Sequence, residues 1–357
     1  MTRTVLVAGA GLAGSRCAET LRARGFDGRV LLVGDEQHAP YERPALSKEL
    51  LAGNREDVAL RPEGFWDEQA IELVLGRRVE EVDTRSRTAR VGDTLVEWDA
   101  LVLATGVRAR RLEGPDGVHH LRTLDDAHAL RAELSPDARV VVVGAGFIGG
   151  EVASTVSGIV SSVTVVEPLA VPLERVLGPE VGRLLADRYR RSGVDLRLGV
   201  GVEGFDGGDR VEAVRLTDGS TVDADVVVVG IGSLVDAVEV DACGRSATPN
   251  VYACGDVASW GGRRVEHWTS AAGQARAVAA AITGSEEPHA DAPFFWSDQF
   301  GLRLQYVGHA ESWQAVVLEG DETSFTARYH DGDGRLLAAL AANRTAEIAR
   351  LRKELAA

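Results

Sequence analysis

Two glycine clusters of the same spacing govern what this chain can fold into. Gly9-Ala10-Gly11-Leu12-Ala13-Gly14 follows the apolar run Thr4-Val5-Leu6-Val7-Ala8, and Gly144-Ala145-Gly146-Phe147-Ile148-Gly149 follows Val140-Val141-Val142-Val143. An unbroken apolar run of that length reads as a parallel strand covered on both faces. Placed directly after it, the first glycine permits a tight turn, the second admits a pyrophosphate against the backbone, and the third lets the next helix pack close. That helix points its free amides and its dipole at the phosphate. Each cluster also leads to a second apolar strand ending in acid: Val30-Leu31-Leu32-Val33 before Asp35-Glu36, and Val163-Thr164-Val165-Val166 before Glu167. An acid there accepts hydrogen bonds from an adenosine ribose. One such unit is weak evidence, since a glycine-rich turn occurs in many α/β proteins. The repeat predicts two dinucleotide sites, Gly9, Gly11, Gly14 and Asp35 lining the first and Gly144, Gly146, Ile148, Gly149 and Glu167 the second.

Composition narrows the class. A chain of 357 residues, 45% apolar and 26% charged, is expected to form two or three globular domains. Its formal charge of −15 argues against nucleic acid, whose phosphates need a basic surface. No apolar run approaches the roughly 20 residues that span a bilayer, and the N-terminal apolar segment is a strand feeding a glycine turn rather than a signal peptide. A cytoplasmic enzyme is expected, with no membrane contact. Cys17, Cys243 and Cys254 stand far apart, without a Cys-x-x-Cys pair. Neither a disulfide framework nor a metal site is expected.

Two further short strands end in glycine turns, Leu101-Val102-Leu103-Ala104-Thr105-Gly106 and Val251-Tyr252-Ala253-Cys254-Gly255-Asp256. Alone, either is an ordinary turn. After two fingerprints, the late Gly255-Asp256 makes a combination that resembles the pyridine nucleotide–disulfide oxidoreductase fold, and the resemblance covers nearly the whole chain. It implies an α/β architecture: two Rossmann-like dinucleotide-binding domains, the second inserted in the first, plus a C-terminal α+β domain. The implied boundaries are 1–109 for the first part of an FAD-binding domain, 110–233 for an NADH-binding domain, 234–290 for the second part of the FAD domain, and 291–357 for the C-terminal domain. Gly255 and Asp256 are implied to meet FAD, the aspartate at a ribityl hydroxyl. Disulfide reductases of this fold use a closely spaced cysteine pair beside the flavin; none exists here, so that chemistry is not expected.

Tyr41-Glu42-Arg43-Pro44-Ala45-Leu46-Ser47-Lys48, read from its residues alone, is a loop with a proline and a helix start capped by Ser47. It also resembles the Arg-Pro-x-Leu-Ser-Lys run of ferredoxin-reductase-like members of the family, which sets Arg43 and Lys48 against the flavin and its phosphates. The resemblance further implies FAD contacts at Val79, at the Ala104-Thr105-Gly106 turn and at Arg122, and room for the nicotinamide at Gly232. It brings Glu151 to the nicotinamide–flavin stack; from the residues alone, Glu151 is equally a first-turn helix acid favoured by the dipole. Lys48 and Glu151 are the catalytic candidates. His267 and Trp268 precede an alanine-rich helix, about Thr269 to Ile282, whose N-terminus is implied to lie at the flavin's pyrimidine edge. Hydride transfer to a flavin needs no general base, so a structural role is favoured for His267. Between Gly232 and Gly255 the chain departs from the family, whose longer connection shrinks here to Ser233 through Pro249.

From Phe294 onward alternating strands are expected: Leu302 to Val307, Gln314 to Leu318, Ser324 to His330 and Leu336 to Leu340, with a hairpin turn at Asp331-Gly332-Asp333-Gly334 and a final helix from Ala346 to Leu355. Phe294-Phe295-Trp296-Ser297-Asp298-Gln299-Phe300 reads either as an aromatic plug at a domain junction or, by resemblance, as a run found in reductases that serve ferredoxins. The function implied is an FAD-dependent NAD(P)H:ferredoxin reductase, taking electrons from NADH through FAD to an iron–sulfur ferredoxin of a haem mono-oxygenase or ring-hydroxylating dioxygenase. Glu167, with no arginine in Pro168-Leu169-Ala170, implies NADH over NADPH. Arg61, Arg276 and Trp296 are the implied docking residues; read blandly, Arg276 is a solvated helix residue and Trp296 core packing. Two rivals stand beside this reading: an NADH oxidase reducing oxygen, and a redox-responsive binding protein like apoptosis-inducing factor. A monomer or homodimer is expected.

Overall fold

In the computed structural model, which describes residues 3–355, the apolar run Thr4–Ala8 is the middle strand of a parallel sheet. Arg29–Val33 pairs with it on one side and Ala100–Leu103 on the other; Ile71–Val74 and Val251–Ala253 lie beyond them. Side chains alternate across a strand, and here both faces are apolar. Val5, Val7, Val30 and Leu32 pack with Ala13, Cys17, Leu21, Ala275 and Val278 of the helices Leu12–Ala23 and Trp268–Ile282. Leu6, Ala8, Leu31 and Val33 pack with Ala89, Val91, Val96 and Trp98 of a small antiparallel sheet. The late strand Val251–Ala253 thus belongs to the sheet that the N-terminus begins.

The second parallel sheet repeats the design, ordered Asp195–Leu198, Ser162–Glu167, Arg139–Val143, Val226–Val229, Val118–His120. Val141, Val143, Val227 and Val229 meet Val211, Val214 and Leu216 of an antiparallel sheet. Val140, Val142, Val226 and Val228 share a core with the helices Phe147–Val156 and Glu174–Arg191 and with Leu304, Tyr306, Phe325 and Leu340 of the C-terminal sheet. That C-terminal sheet runs Phe294–Gln299, Leu302–Gly308, Leu336–Ala342, Ser324–His330, Ala315–Asp321, and the helix Thr345–Leu355 covers it with Ile348 and Leu351. The run beginning Phe294-Phe295-Trp296 is therefore an edge strand of that sheet.

The chain divides into two compact units: Met1–Glu42, Val58–Val107 and Val235–Phe294 in one, Arg43–Asp57, Arg108–Leu234 and Phe295–Ala357 in the other. The shortened connection has a definite path. Ser233–Leu234 pairs antiparallel with Arg108–Ala109, and after a short link Val238–Val240 pairs parallel with Ala258–Trp260. Asp241 Oδ1 then accepts from the Cys243 and Arg245 amides, at 2.9 Å each, and turns the chain toward Val251.

A salt bridge closes the entry to the second sheet. Asp225 Oδ2 accepts from the Arg139 amide at 2.8 Å, and Asp225 Oδ1 from Arg139 Nη2 at 2.8 Å. The Arg139 guanidinium holds this carboxyl down at about 2. A folded-state value below the ordinary one contributes stability at neutral pH that disappears as pH falls from about 4 toward 2. Both groups are well exposed, so solvent screening keeps the contribution small. Asp225→Asn should lower the melting temperature by about 1–3 °C at neutral pH. Melts of both proteins as a function of pH should show the gap closing on acidification; a gap independent of pH refutes this role.

Candidate functional site

The first fingerprint is built by close backbone contact. Gly9 has φ +115°, and a Cβ there would lie 2.2 Å from the Ala104 carbonyl oxygen; one on Gly14 would lie 1.9 Å from the Gly9 carbonyl oxygen. Gly255, at φ +78°, comes so near Ala13 that a Cβ would lie 2.8 Å from the alanine methyl, and its amide donates to Gln274 Oε1 at 2.8 Å. The turns Gly9–Gly14, Ala104–Gly106 and Gly255–Asp256 therefore meet at the carboxyl ends of the strands, where open α/β sheets bind ligands. Asp35 is exposed and 3.5 Å from Arg78, while Glu36 accepts from the Tyr41 hydroxyl at 2.6 Å. Val79 sits in a side strand opposite Val91. His267 is the N-cap residue of the helix that Trp268 opens, and its side chain makes no capping bond.

The second fingerprint has the same geometry: Cβ atoms on Gly144 and Gly149 would lie 2.4 Å from the Gly230 carbonyl oxygen and 2.0 Å from that of Gly144. Glu167 braces this loop. Its buried carboxylate accepts from the Ala145 amide at 2.7 Å and the Leu169 amide at 3.0 Å, which leaves lone pairs for a further donor. Ile148 is an exposed large apolar residue on the first helical turn, and Gly232 lies at φ +100°.

Gly11 and Gly146 differ from their neighbours. A methyl group at either would meet no atom of the protein within 4 Å. The chain itself does not require glycine there; a pyrophosphate lying on the backbone does. The residues present thus fit a dinucleotide at each turn.

A third cluster gathers Lys48 and Glu151. Glu151 is only 3% exposed, and its Oε2 accepts from Lys48 Nζ and Ser47 Oγ at 2.5 Å each. Its Oε1 accepts from Ser297 Oγ at 2.6 Å. Glu151 lies beyond the first turn of the helix Phe147–Val156, so it is not an acid spent on helix amides. Nor does Ser47 cap a helix: Arg43–Ala45 is a 3-10 turn followed by irregular turns, and the hydroxyl is drawn to Glu151 instead. Arg43 Nη1 donates to the Arg122 carbonyl at 2.8 Å, joining two candidates.

Arg61 is less free than its sequence position implies. It grips Glu19 with both prongs, at 2.9 and 2.6 Å, and lies 5.0 Å over the Phe65 ring. Arg16 reaches the same carboxylate at 2.8 Å. Beside them Arg16, Glu19, Thr20, Trp268 and Arg276 line an open recess of about 430 Å³. Trp296, on the edge strand, is half-buried.

Residues 3–275 match the pyridine nucleotide-disulphide oxidoreductase family, and residues 294–357 match the reductase C-terminal family. The chain belongs to the pyridine nucleotide-disulphide oxidoreductase family. Proteins of this family use FAD and NAD(P)H. The chain is 38% identical to a ferredoxin–NAD(P)(+) reductase of Sphingomonas sp, over 96% of this chain and 90% of the other. It is 37% identical to the ferredoxin–NAD(+) reductase component of a biphenyl dioxygenase system of Paraburkholderia xenovorans, over 91% and 85%. It also superposes on the solved putidaredoxin reductase–putidaredoxin covalent complex with TM-score 0.95 and 33% identity, over 99% of this chain and 93% of the other.

Sequence reasoning missed Gln274, Ser297, Gln299 and Tyr189. A buried glutamine in an alanine stripe was one signal. Two polar residues at alternate positions of an aromatic strand were another, since they share one face. The cysteines carry no comparable chemistry in this oxidoreductase. Burial pushes the Cys254 thiol up to about 12 and the Cys17 thiol well above its ordinary value. A neutral, buried thiol is inert, so native protein treated with iodoacetamide at neutral pH should keep Cys17 and Cys254 unmodified by peptide mass spectrometry. Rapid labelling without unfolding would reveal a reactive thiol.

The glycine geometry yields a sharper contrast. Gly11→Ala should leave the stability of the cofactor-free protein within about 0.5 kcal/mol yet reduce the FAD retained on purification. Gly14→Ala, which forces a methyl into a carbonyl, should destabilise even the cofactor-free fold by about 1–3 kcal/mol. Melting curves and flavin absorbance measure both; equal effects of the two substitutions refute the distinction.

Proposed function

We propose that this protein is an FAD-containing NADH:ferredoxin reductase whose electrons go to an iron–sulfur ferredoxin of a haem mono-oxygenase or ring-hydroxylating dioxygenase. What carries the reading is the match along nearly the entire chain to reductases of that kind. FAD, when bound, supplies the conversion of a two-electron hydride donor into single electrons for a cluster. Gly9, Gly11 and Gly14 bind its pyrophosphate, Asp35 a ribose, and Val79, Ala104, Thr105, Gly106, Arg43, Arg122, Gly255 and Asp256 the rest of the molecule. His267 and Trp268 present the helix amides to the pyrimidine edge. Gly144, Gly146, Ile148, Gly149, Glu167 and Gly232 bind NADH. Lys48, held by Glu151, supplies a fixed positive charge where negative charge arrives. Because NADH is regenerated in the cytoplasm, we place the activity there.

Mixing NADH-reduced protein with a ferredoxin or with oxygen in a stopped-flow instrument tests the reading. Ferredoxin reduction should far outpace oxygen consumption; the reverse would make the protein an oxidase, and inertness toward both would make it a redox-responsive binder.

Glu167 sets the nucleotide. Its carboxylate suits a ribose 2′-hydroxyl and repels a 2′-phosphate, and Pro168-Leu169-Ala170 brings no arginine to that end of the strand. The ratio kcat/KM should favour NADH over NADPH by at least about tenfold, equivalent to about 1.4 kcal/mol; parity refutes it.

Docking needs a local basic patch, since the chain is acidic overall at −15. We assign it to Arg61 and the exposed Arg276, with Trp296 as an apolar contact. Arg276→Glu should slow ferredoxin reduction through the association rate, more strongly at low salt, and leave NADH-dependent reduction of a small neutral dye unchanged. If both rates fall together, or neither does, docking lies elsewhere.

A further inference from the structure

The strand Phe294–Gln299 carries two polar side chains, Ser297 and Gln299, that are completely or almost completely buried. Gln299 Oε1 accepts from the Tyr189 hydroxyl at 2.6 Å, Gln299 Nε2 donates to Ser297 Oγ at 3.0 Å, and Ser297 Oγ donates to Glu151 Oε1 at 2.6 Å. On the other side Lys48 Nζ donates to Ser47 Oγ at 3.3 Å and Ser47 Oγ to Glu151 Oε2 at 2.5 Å.

The donor inventory of these groups makes the chain directional. The Tyr189 proton selects the amide oxygen of Gln299, which turns the amide nitrogen toward Ser297. Ser297 then faces a donor and must give its single proton to Glu151. Ser47, receiving from Lys48, is constrained in the same sense. Both arms therefore turn their hydroxyl protons to Glu151 and fix the carboxylate that holds Lys48. Lys48 meets this carboxylate directly and Tyr189 through Gln299, with Glu167 a further charge acting on Tyr189.

The glycine after the second fingerprint supports the same conclusion. Gly150 follows the last fingerprint glycine, Gly149, and plays no part in the phosphate turn. A Cβ there would lie 2.2 Å from the Tyr189 hydroxyl oxygen and 2.3 Å from Gln299 Oε1. Position 150 is left bare to make room for the bond between them.

We propose that Ser297, Gln299 and Tyr189 are positioning residues that orient the Glu151 carboxylate and through it hold Lys48 in place, so that the C-terminal module sets the reactivity of the flavin site. This rests on the reading that Lys48 lies at the flavin. Two variants test it. Ser297→Ala removes the donor to Glu151, and Tyr189→Phe removes the hydroxyl that orients the amide while keeping the ring packed at 4.5 Å from Phe300. Single-turnover bleaching of FAD by NADH should slow about tenfold in Ser297→Ala and about threefold in Tyr189→Phe, with the dissociation constant for NADH unchanged, as expected for loss of one buried donor. The FAD midpoint potential of Ser297→Ala, read by dye equilibration, should fall by about 30 mV, the two-electron equivalent of tenfold. If both variants keep the wild-type rate and potential, or lose NADH affinity with an unchanged hydride step, the inference is overturned. If the wild-type protein holds FAD that NADH does not reduce, the reading beneath it fails instead.

Discussion

Backbone pressed against backbone at the end of two strands is the contact on which both units depend. Gly14 lies so close to the Gly9 carbonyl, and Gly149 to that of Gly144, that a single methyl would lie 1.9 or 2.0 Å from oxygen. Such an approach brings each helix down onto its sheet, and only small residues fit beneath it. Ala13, Cys17 and Ala18 lie in one core under Val5 and Val7, and Val152, Ala153 and Val156 in the other under Val140 and Val142. The same approach leaves the helix N-terminus aimed over the ends of the strands. Its unsatisfied amides are then the strongest local attraction for an anion. A packing requirement and a binding site thus arise from one geometric fact.

The second unit also shows two ways to bury a carboxylate. Taking such a charge out of water costs several kcal/mol unless its lone pairs are answered. Glu167 is answered by the amides of Ala145 and Leu169, with no cation among those bonds. Those bonds tie it to the glycine loop and stiffen it. Glu151 is answered by Lys48, Ser47 and Ser297. Its carboxylate is paired directly with the Lys48 ammonium, which is itself largely buried. Two acids of the same kind, a short distance apart in sequence, are therefore held by different donors, backbone amides in one case and side chains with a cation in the other.

How much of this was legible in the sequence follows the range of the interactions. The two α/β units could be read because glycine spacing and apolar runs encode local backbone constraints, and the C-terminal strands could be read from period-two alternation. Boundaries moved by one to three residues, as with the helix Thr345–Leu355 and the strand Ala315–Asp321. The polar cluster was not legible as a cluster. Ser47 lies 104 residues from Glu151, Ser297 lies 146 from it, and Tyr189 lies 110 from Gln299. No local pattern joins residues so far apart; only the fold does. The loop at Ser47 reads as a helix start because the propensity of a serine to cap is local, whereas the bond that claims its hydroxyl is not.

Charge on the surface follows a similar division between local and global. At −15 overall the protein repels an acidic partner at long range, but at physiological ionic strength that field decays within about 8 Å. Contact chemistry then decides. Glu19 lies between Arg16 and Arg61 and holds the Arg61 guanidinium in a bidentate grip over Phe65. A long side chain fixed this way has already lost most of the rotamer freedom that binding would otherwise remove. If Arg61 docks a partner as proposed, an incoming carboxylate shares it with Glu19, so the intramolecular pair weakens any single contact while defining where it can form. Arg276, exposed on its own helix beside the recess, carries no such restraint in the bonds described. On the proposed docking role, the pairing of one ordered and one accessible arginine favours a partner whose charges are correctly spaced over one that is merely acidic.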